Sequence, residues 1–131
     1  MSKNQVERTE GCHVVTCKAR VDVAIPKGSP VVFIDGDYLV DNLPGGTGAH
    51  FSQGVALQAH TINVAECIPV LIPGPVLRII AGDDITAGQV VNGDSSTPGE
   101  WIVDASDPAG FALQTEGDGD EMDICFVGEQ Y

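Results

Sequence analysis

The feature that most constrains the fold of this chain is an internal repeat. Three sequence blocks recur in the same order. AIPKGSPVV (24–32) matches DITAGQVV (84–91), GVALQ (54–58) matches GFALQ (110–114), and IPVLIPG (68–74) matches DICFVG (123–128). One matching block could arise by chance, but three in order with slowly drifting spacing indicate a duplication. We therefore predict a chain built from two similar halves, about 20–74 and 81–128.

The repeated residues are suited to building a fold. Ile25 and Ile85 open an I-x-x-G turn in each half, and Gly28 and Gly88 close it. The Ile is expected to anchor in the core, while the Gly permits a positive φ or a close backbone approach where the chain reverses. Each half would expose an apolar face that it cannot bury alone, and packing two copies together covers exposed edges.

The composition and spacing of the elements indicate an all-β fold. The 131 residues include 16 Gly and 8 Pro, and 43% are hydrophobic, so short ordered elements alternate with many turns. From residue 20 onward no helical period lasts three turns, and β-branched or aliphatic runs recur at the spacing of a compact barrel or sandwich. The predicted strands include RVDVAI (20–25), TINVAE (61–66), EWIVDA (100–105) and the repeated blocks.

Charge is distributed unevenly along the chain. Residues 1–20 hold four basic and two acidic residues, a net +2, whereas residues 21–131 hold two basic and 17 acidic residues, a net −15; together these give the −13 of the chain. Phosphate binding depends on Lys and Arg that displace counterions, so an acidic body repels nucleic acid and anionic lipid. No apolar run reaches the length of a membrane span. We expect neither nucleic acid nor a membrane as a direct partner.

Two segments carry residues that bind metals in other proteins. The turn EGDGDEMD (116–123) has carboxylates at calcium-loop spacing, but Met122 and Asp123 stand where an oxygen ligand and a Gly are needed. GCHVVTC (11–17) groups two cysteines and a histidine, but no second ligand pair follows to complete a zinc site. The turn is therefore interpreted as solvated, the cysteines as free thiols, and no metal or cofactor is predicted.

Catalytic patterns are equally weak. His50 and His60 flank the first GVALQ block, but no nucleophile elbow accompanies them and the second half has no equivalent histidine, so both are interpreted as polar loop residues. The glycine-rich PGGTG (44–48) lacks the Lys and Ser or Thr of a phosphate-binding loop. Cys67 and Cys125 lie in apolar runs and are predicted to be buried. No catalytic residue is assigned, and the protein is not expected to be an enzyme.

Residues 1–19 are predicted to form an extended N-terminal arm on a β-rich domain spanning 20–131. The first twelve residues are polar, whereas HVVTCKARVDV (13–23) has strand propensity. Such an arm could order on a partner by adding a strand to an exposed sheet edge. Ordinary terminal disorder is the alternative.

The blocks IPKGSPVV, GVALQ, AGDDITAGQVV, GFALQ and the closing CFVG together resemble the phage capsid cement, or head decoration, family, over about residues 20–128. The resemblance implies a small β-barrel of the β-clip or β-tulip type that assembles as a homotrimer. It further implies binding to the major capsid protein on the outer surface of an icosahedral head, after synthesis in the host cytoplasm. The family pattern is simpler than this chain, which adds the duplication and a long loop, NLPGGTGAHFS (42–52).

The expected function is that of a capsid decoration protein that stabilises the phage shell against internal DNA pressure. Its contact residues are predicted to be Val14, Val15, Thr16 and Arg20, which would take part in strand addition to the shell. Arg8 and Lys18 are predicted to pair with acidic groups on the shell. One alternative is a surface-displayed module that binds carbohydrate or a receptor, which would need exposed aromatic residues. A second is a nucleotide hydrolase of a β-clip family, although Arg78 alone after residue 20 makes a poor phosphate clamp.

Overall fold

The computed structural model describes residues 13–43 and 52–128, so the predicted contact residue Arg8 and the rest of residues 1–12 lie outside the described residues. This part of the chain is all β. Its ten strands, in chain order, are β1 (His13–Ala19), β2 (Pro30–Ile34), β3 (Leu39–Asn42), β4 (Gly54–Ala56), β5 (Cys67–Ile72), β6 (Val76–Ala81), β7 (Val90–Gly93), β8 (Glu100–Val103), β9 (Gly110–Ala112) and β10 (Glu121–Phe126).

The strands form two closed five-stranded barrels of the same topology. The first has the order β1-β3-β2-β4-β5, and the second has the equivalent order β6-β8-β7-β9-β10. All contacts are antiparallel except β1 with β3 and β6 with β8, which are parallel and short in both barrels. The predicted all-β fold of two similar halves is therefore confirmed.

The I-x-x-G turn has the same geometry in both barrels. Gly28 has a φ of 85° and Gly88 a φ of 91°, a conformation that costs glycine little. The amide of Gly28 donates to the carbonyl of Ala56 at 2.7 Å, and the amide of Gly88 donates to the carbonyl of Ala112 at 2.8 Å. The sequence match at these positions thus reflects one backbone structure used twice.

Two predicted strands are wrong. Over residues 20–25 the chain turns, because the amide of Val23 bonds back to the carbonyl of Arg20, and only Ile25 makes a β-bridge. Residues 61–66 also turn, with Asn63 at a φ of 66°. In these segments Ile25 is buried and Val23 packs against the core of the first barrel, whereas Val21, Ile62 and Val64 are exposed.

The first barrel begins earlier than the predicted repeat. The predicted arm includes His13–Ala19, but this segment forms β1, which pairs with β5 over six residues. Its counterpart in the second barrel is β6, and the inward residues Cys17 and Ala19 are buried. The boundary differs because a five-stranded barrel cannot close without this strand.

The two barrels share a core. The larger cluster of buried side chains contains the interior of the first barrel and also four residues of the second half, Ala87, Phe111, Leu113 and Cys125. The rings of Phe33 and Phe111 lie 5.8 Å apart across the junction. A smaller cluster, which includes Ile85, Met122 and Ile124, fills the second barrel.

The turn between β2 and β3 joins the barrels by hydrogen bonds. The amide of Tyr38 donates to the carbonyl of Leu113 at 2.9 Å, and the amide of Thr115 donates to the carbonyl of Gly36 at 2.9 Å. Tyr38 has a φ of 54°, which is unusual for a residue with a side chain. The β2–β3 turn of the first barrel is therefore bonded to the second barrel through backbone groups.

Candidate interaction surface

Strand β1 has an open edge on the side facing β3. It pairs with β3 only at Lys18 and Ala19. The amides of Lys18 and Arg20 donate to Tyr38 and Val40 in that direction. Because neighbouring residues of a strand point their backbone groups to opposite sides, Val14 and Thr16 direct theirs to this side too. Among the described residues no strand pairs with them there, and an unpaired edge of this kind is a template for an added strand.

The side chains of the predicted contact residues divide into two groups. Val14 is 57% exposed, and Thr16, Lys18 and Arg20 are also exposed. Val15 points inward and packs against the core of the first barrel. Its side chain is therefore part of the fold, so the structure brings together four of the five predicted residues it describes.

Lys18 and Arg20 differ in how their charges are used. The Arg20 guanidinium contacts the Asp22 carboxylate at 2.8 Å and the Asp41 carboxylate at 2.9 Å. Hydrogen bonding to Asp41, and then to Asp22, raises the pKa of Arg20. No ion pair joins Lys18 to another described residue. Of these two basic side chains, Lys18 is therefore the one whose charge is available to a partner.

A cavity of about 470 Å³ opens at the end of this edge. It is formed where β1, β3 and β5 meet the loops that follow β1 and precede β5, and it is lined by Lys18, Ala19, Arg20, Val21, Leu39, Ala65, Glu66 and Cys67. Exposed Val21 and the aliphatic residues around it make the walls apolar, while three charged groups lie among them. A cavity of this size and chemistry can accept an apolar side chain beside a charged one.

His60 fixes the loops beside the cavity. The side chain is 3% exposed, and its Nδ1 and Nε2 lie 2.8 and 2.7 Å from the carbonyl oxygens of Val23 and Val64. The backbone of His60 also forms a two-bond bridge with Ile25. His60 lies in a loop, as interpreted from the sequence, and the structure adds that its buried ring ties two loops together. His50 lies outside the described residues.

The cysteines differ from prediction in part. Cys17 and Cys125 are buried free thiols, whereas Cys67 is exposed. Cys67 lies opposite Lys18 on the outer side of the first barrel, which is why an apolar sequence context did not bury it. Burial raises the pKa of Cys17 to about 12 and that of Cys125 to about 11.

The second barrel presents a related edge with different chemistry. β6 pairs with β8 only at Ile80 and Ala81. Val76, Leu77 and Ile80 are each between 37% and 38% exposed. Arg78 is held by Asp123 at 3.1 Å. This edge therefore lacks the free cation that Lys18 supplies on β1.

The acidic turn 116–123 is part of a strongly negative second barrel. Over residues 76–128 the sequence has eleven acidic residues and one basic residue. The amide of Asp118 donates to the Asp84 carboxylate at 3.0 Å, which ties this turn to the β6–β7 loop. Within the described residues, no three His, Cys, Asp or Glu side chains are grouped closely enough to hold a metal ion.

The chain has one Trp and two Tyr that a carbohydrate-binding site could use, and the two that the structure describes, Trp101 and Tyr38, have structural contacts. Trp101 packs against the core of the second barrel and meets Phe126 edge-to-face, with ring centres 6.3 Å apart. The Tyr38 hydroxyl donates to the Asp123 carboxylate at 2.7 Å. Both side chains are partly buried, and Tyr131 lies outside the described residues.

In the described ranges, the fold contains no helix long and apolar enough to cross a membrane.

Residues that sequence reasoning missed lie at the junction of the barrels. Gln53 is 5% exposed; its Oε1 accepts from the amide of Phe33 at 2.9 Å, and its Nε2 donates to the carbonyl of Gly88 at 2.7 Å. The Thr115 hydroxyl accepts from the amides of Gly36 and Ala87. These bonds link the two barrels at their junction.

Comparisons with known proteins give a structural similarity and no family. No protein-family model matches the chain, and no curated protein matches it. The chain is similar to a solved structure described as the crystal structure of head fiber gp8.5 N base in bacteriophage phi29. The two share 17% sequence identity with a TM-score of 0.37, over 87% of this chain and 94% of that chain.

Proposed function

We propose that this protein is a capsid decoration protein that binds the major capsid protein on the outer surface of a phage head and stabilises the shell. The observation that carries the proposal is the open edge of β1, at Val14 and Thr16, on a body of two barrels joined by a shared core. The sequence resemblance to the cement family supplies the class of partner. The role is mechanical and non-enzymatic.

Strand addition explains how this edge would bind. An extended segment of the capsid protein would pair with the backbone groups of Val14 and Thr16, where strand addition gives affinity through main-chain hydrogen bonds. The cavity at Lys18 and Leu39 would receive one apolar side chain of that segment. The free ammonium of Lys18 favours a neighbouring acidic group and sets the register.

Stabilisation of the shell would follow from binding across the contacts between neighbouring capsid subunits. A small rigid body that contacts neighbouring capsid subunits contributes binding energy that is lost when those subunits separate. If the protein acts as a homotrimer, as the resemblance implies, its second and third contacts become intramolecular and raise avidity by roughly 10²–10⁴. This linkage would resist the outward pressure of packaged DNA on the head exterior.

The test is binding of proline variants to expanded heads that lack the decoration protein. Val14→Pro removes one amide of the β1 edge without removing a bond inside the barrel, so we expect binding about tenfold weaker or more. Val76→Pro is the matched control, because Val76 holds the equivalent position on β6. It should bind as the unaltered protein does.

Two further variants test whether the side chain of Val14 or residues 1–12 also contribute to binding. Val14→Thr keeps the amide and the β-branched shape, so it should retain binding if the backbone carries the contact. Removal of residues 1–12 leaves β1 in place and reports whether Arg8 and its neighbours add affinity. Full binding by Val14→Pro, at equal folded content by circular dichroism, would exclude the β1 edge as the contact.

A further inference from the structure

The last two residues of β7, Asn92 and Gly93, hold two groups that can react with each other. The amide of Gly93 donates to Oδ1 of Asn92 at 2.7 Å. Because Oδ1 is bonded to Cγ, the Gly93 nitrogen is kept beside the carbon atom of the Asn92 side-chain amide. Groups that a structure already holds together react faster than groups that must first meet.

A second hydrogen bond orients the side chain of Asn92. Its Nδ2 donates to the carbonyl of Asp107 at 2.6 Å, in the loop between β8 and β9. The oxygen of the side-chain amide therefore faces Gly93, while the nitrogen points to another segment. Asn92 is partly exposed and Gly93 is exposed, so water reaches both residues.

We infer that Asn92 is a site of spontaneous deamidation. A base removes the amide proton of Gly93, the nitrogen forms a bond to Cγ of Asn92, and the bond from Cγ to Nδ2 breaks. Nδ2 takes a proton from water and leaves as ammonia, so the first product is a cyclic imide. Water then opens the ring at Cγ to give aspartate, or at the backbone carbonyl carbon of Asn92 to give isoaspartate. Nothing is oxidised or reduced, and water is the only co-reactant.

The products would disturb the second barrel in two ways. Both replace the Nδ2 donor by a carboxylate oxygen, so the bond to the Asp107 carbonyl is lost. Isoaspartate also leads the main chain through Cβ, which displaces Gly93 from its place opposite Trp101 of β8. Trp101 is the single tryptophan of the chain, so its fluorescence reports this change.

Asn42 is a matched control within the same chain. Like Asn92 it is partly exposed, and its Nδ2 also donates to a backbone carbonyl, that of Ala24 at 2.9 Å. It is followed by Leu43, whose side chain obstructs the close approach that a glycine allows. We expect conversion at Asn92 to be at least about tenfold faster than at Asn42.

The test incubates the folded protein in mildly alkaline water labelled with heavy oxygen, followed by digestion in ordinary acidic water and mass spectrometry. Ring opening takes one oxygen atom from water, so the label marks conversion that preceded digestion. We expect labelled aspartate and isoaspartate at position 92, formed faster at higher pH because the attacking nitrogen must lose its proton. The emission of Trp101 should shift to longer wavelength as isoaspartate accumulates.

Gly93→Ala separates the reaction from folding, because a Cβ at Gly93 would meet no atom within 4 Å. This variant should fold normally and convert Asn92 at least about tenfold more slowly. Equal rates at Asn92 and Asn42, or equal rates in the unaltered and Gly93→Ala proteins, would overturn the inference. Conversion of Asn92 only after unfolding in urea would also overturn it, because the bond that holds the reacting groups belongs to the folded chain.

Discussion

Single polar side chains decide how the two barrels are joined. Gln53 links the first barrel to the I-x-x-G turn of the second, and Tyr38 reaches Asp123, which also holds Arg78. Neither could be recognised from residue type alone. The available signal was a departure from the repeat: Gln53 precedes the Gly of one copy where Ala109 precedes it in the other.

Buried thiols make stability depend on pH at the residue scale. In the folded protein the pKa of Cys17 is about 12 and that of Cys125 is about 11, whereas a thiol in the unfolded chain has a pKa of about 8.5. The folded state therefore keeps protons that the unfolded chain releases. The contribution of these thiols to stability is complete below that pH and is lost as the pH rises toward the folded values.

We expect the free energy of unfolding to fall above about pH 9 by up to about 1.4 kcal/mol per pH unit for each of the two thiols. Urea unfolding under reducing conditions, repeated across this pH range, measures the slope. Cys17→Ala should remove one of the two contributions and make the slope shallower. A slope unchanged by Cys17→Ala would contradict the assignment.

At the scale of elements, the two I-x-x-G turns share a backbone but have different surroundings. A Cβ on Gly28 would meet no atom within 4 Å, whereas a Cβ on Gly88 would overlap the carbonyl oxygen of Phe33. The second turn is packed into the junction, while the first faces outward. Gly28 is therefore needed for its positive φ alone, whereas Gly88 is needed also because no side chain fits between its backbone and Phe33.

The glycine pair provides a direct test. Gly28→Ala should cost about 1 kcal/mol, because it strains only a positive φ. Gly88→Ala should cost about 3 kcal/mol or more, because it also forces the Phe33 strand away. Chemical denaturation measures both, and equal costs would show that the junction yields easily at this point.

At the scale of the whole molecule, the barrels form one folding unit. Phe111 and Leu113 belong to the second half in sequence but lie in the core that fills the first barrel. Phe111 and Leu113 are buried only because the two halves pack together, so part of the free energy of folding is shared between them. We therefore expect a single cooperative unfolding transition.

Replacement of Phe111 tests this coupling. Phe111→Ala should cost about 3–5 kcal/mol and reduce hydrogen-exchange protection in β2 and β5 of the first barrel as well as in β9. The counterpart variant Val55→Ala, at a partly exposed site, should cost about 1 kcal/mol. Loss of protection confined to the second barrel would show that the halves unfold independently.

The amino-acid sequence by itself determined the β class, the duplication and the I-x-x-G turns, because short-range alternation and glycine conformations are local properties. Most strands were predicted at nearly the right positions, but 20–25 and 61–66 were not strands and β1 was placed outside the domain. Strand identity there depends on a partner distant in sequence, and an alternating pattern does not specify one.

Only the tertiary structure decided which face of each repeat is covered. Phe111 and Val55 occupy equivalent places in equivalent strands, yet one is fully buried and the other partly exposed, because the first barrel's hairpin reaches the second barrel while no described segment reaches back. The open edge at Val14 and the cavity at Lys18 arise in the same way, from where β3 meets β1. Packing between distant segments creates these surfaces, so local sequence cannot specify them.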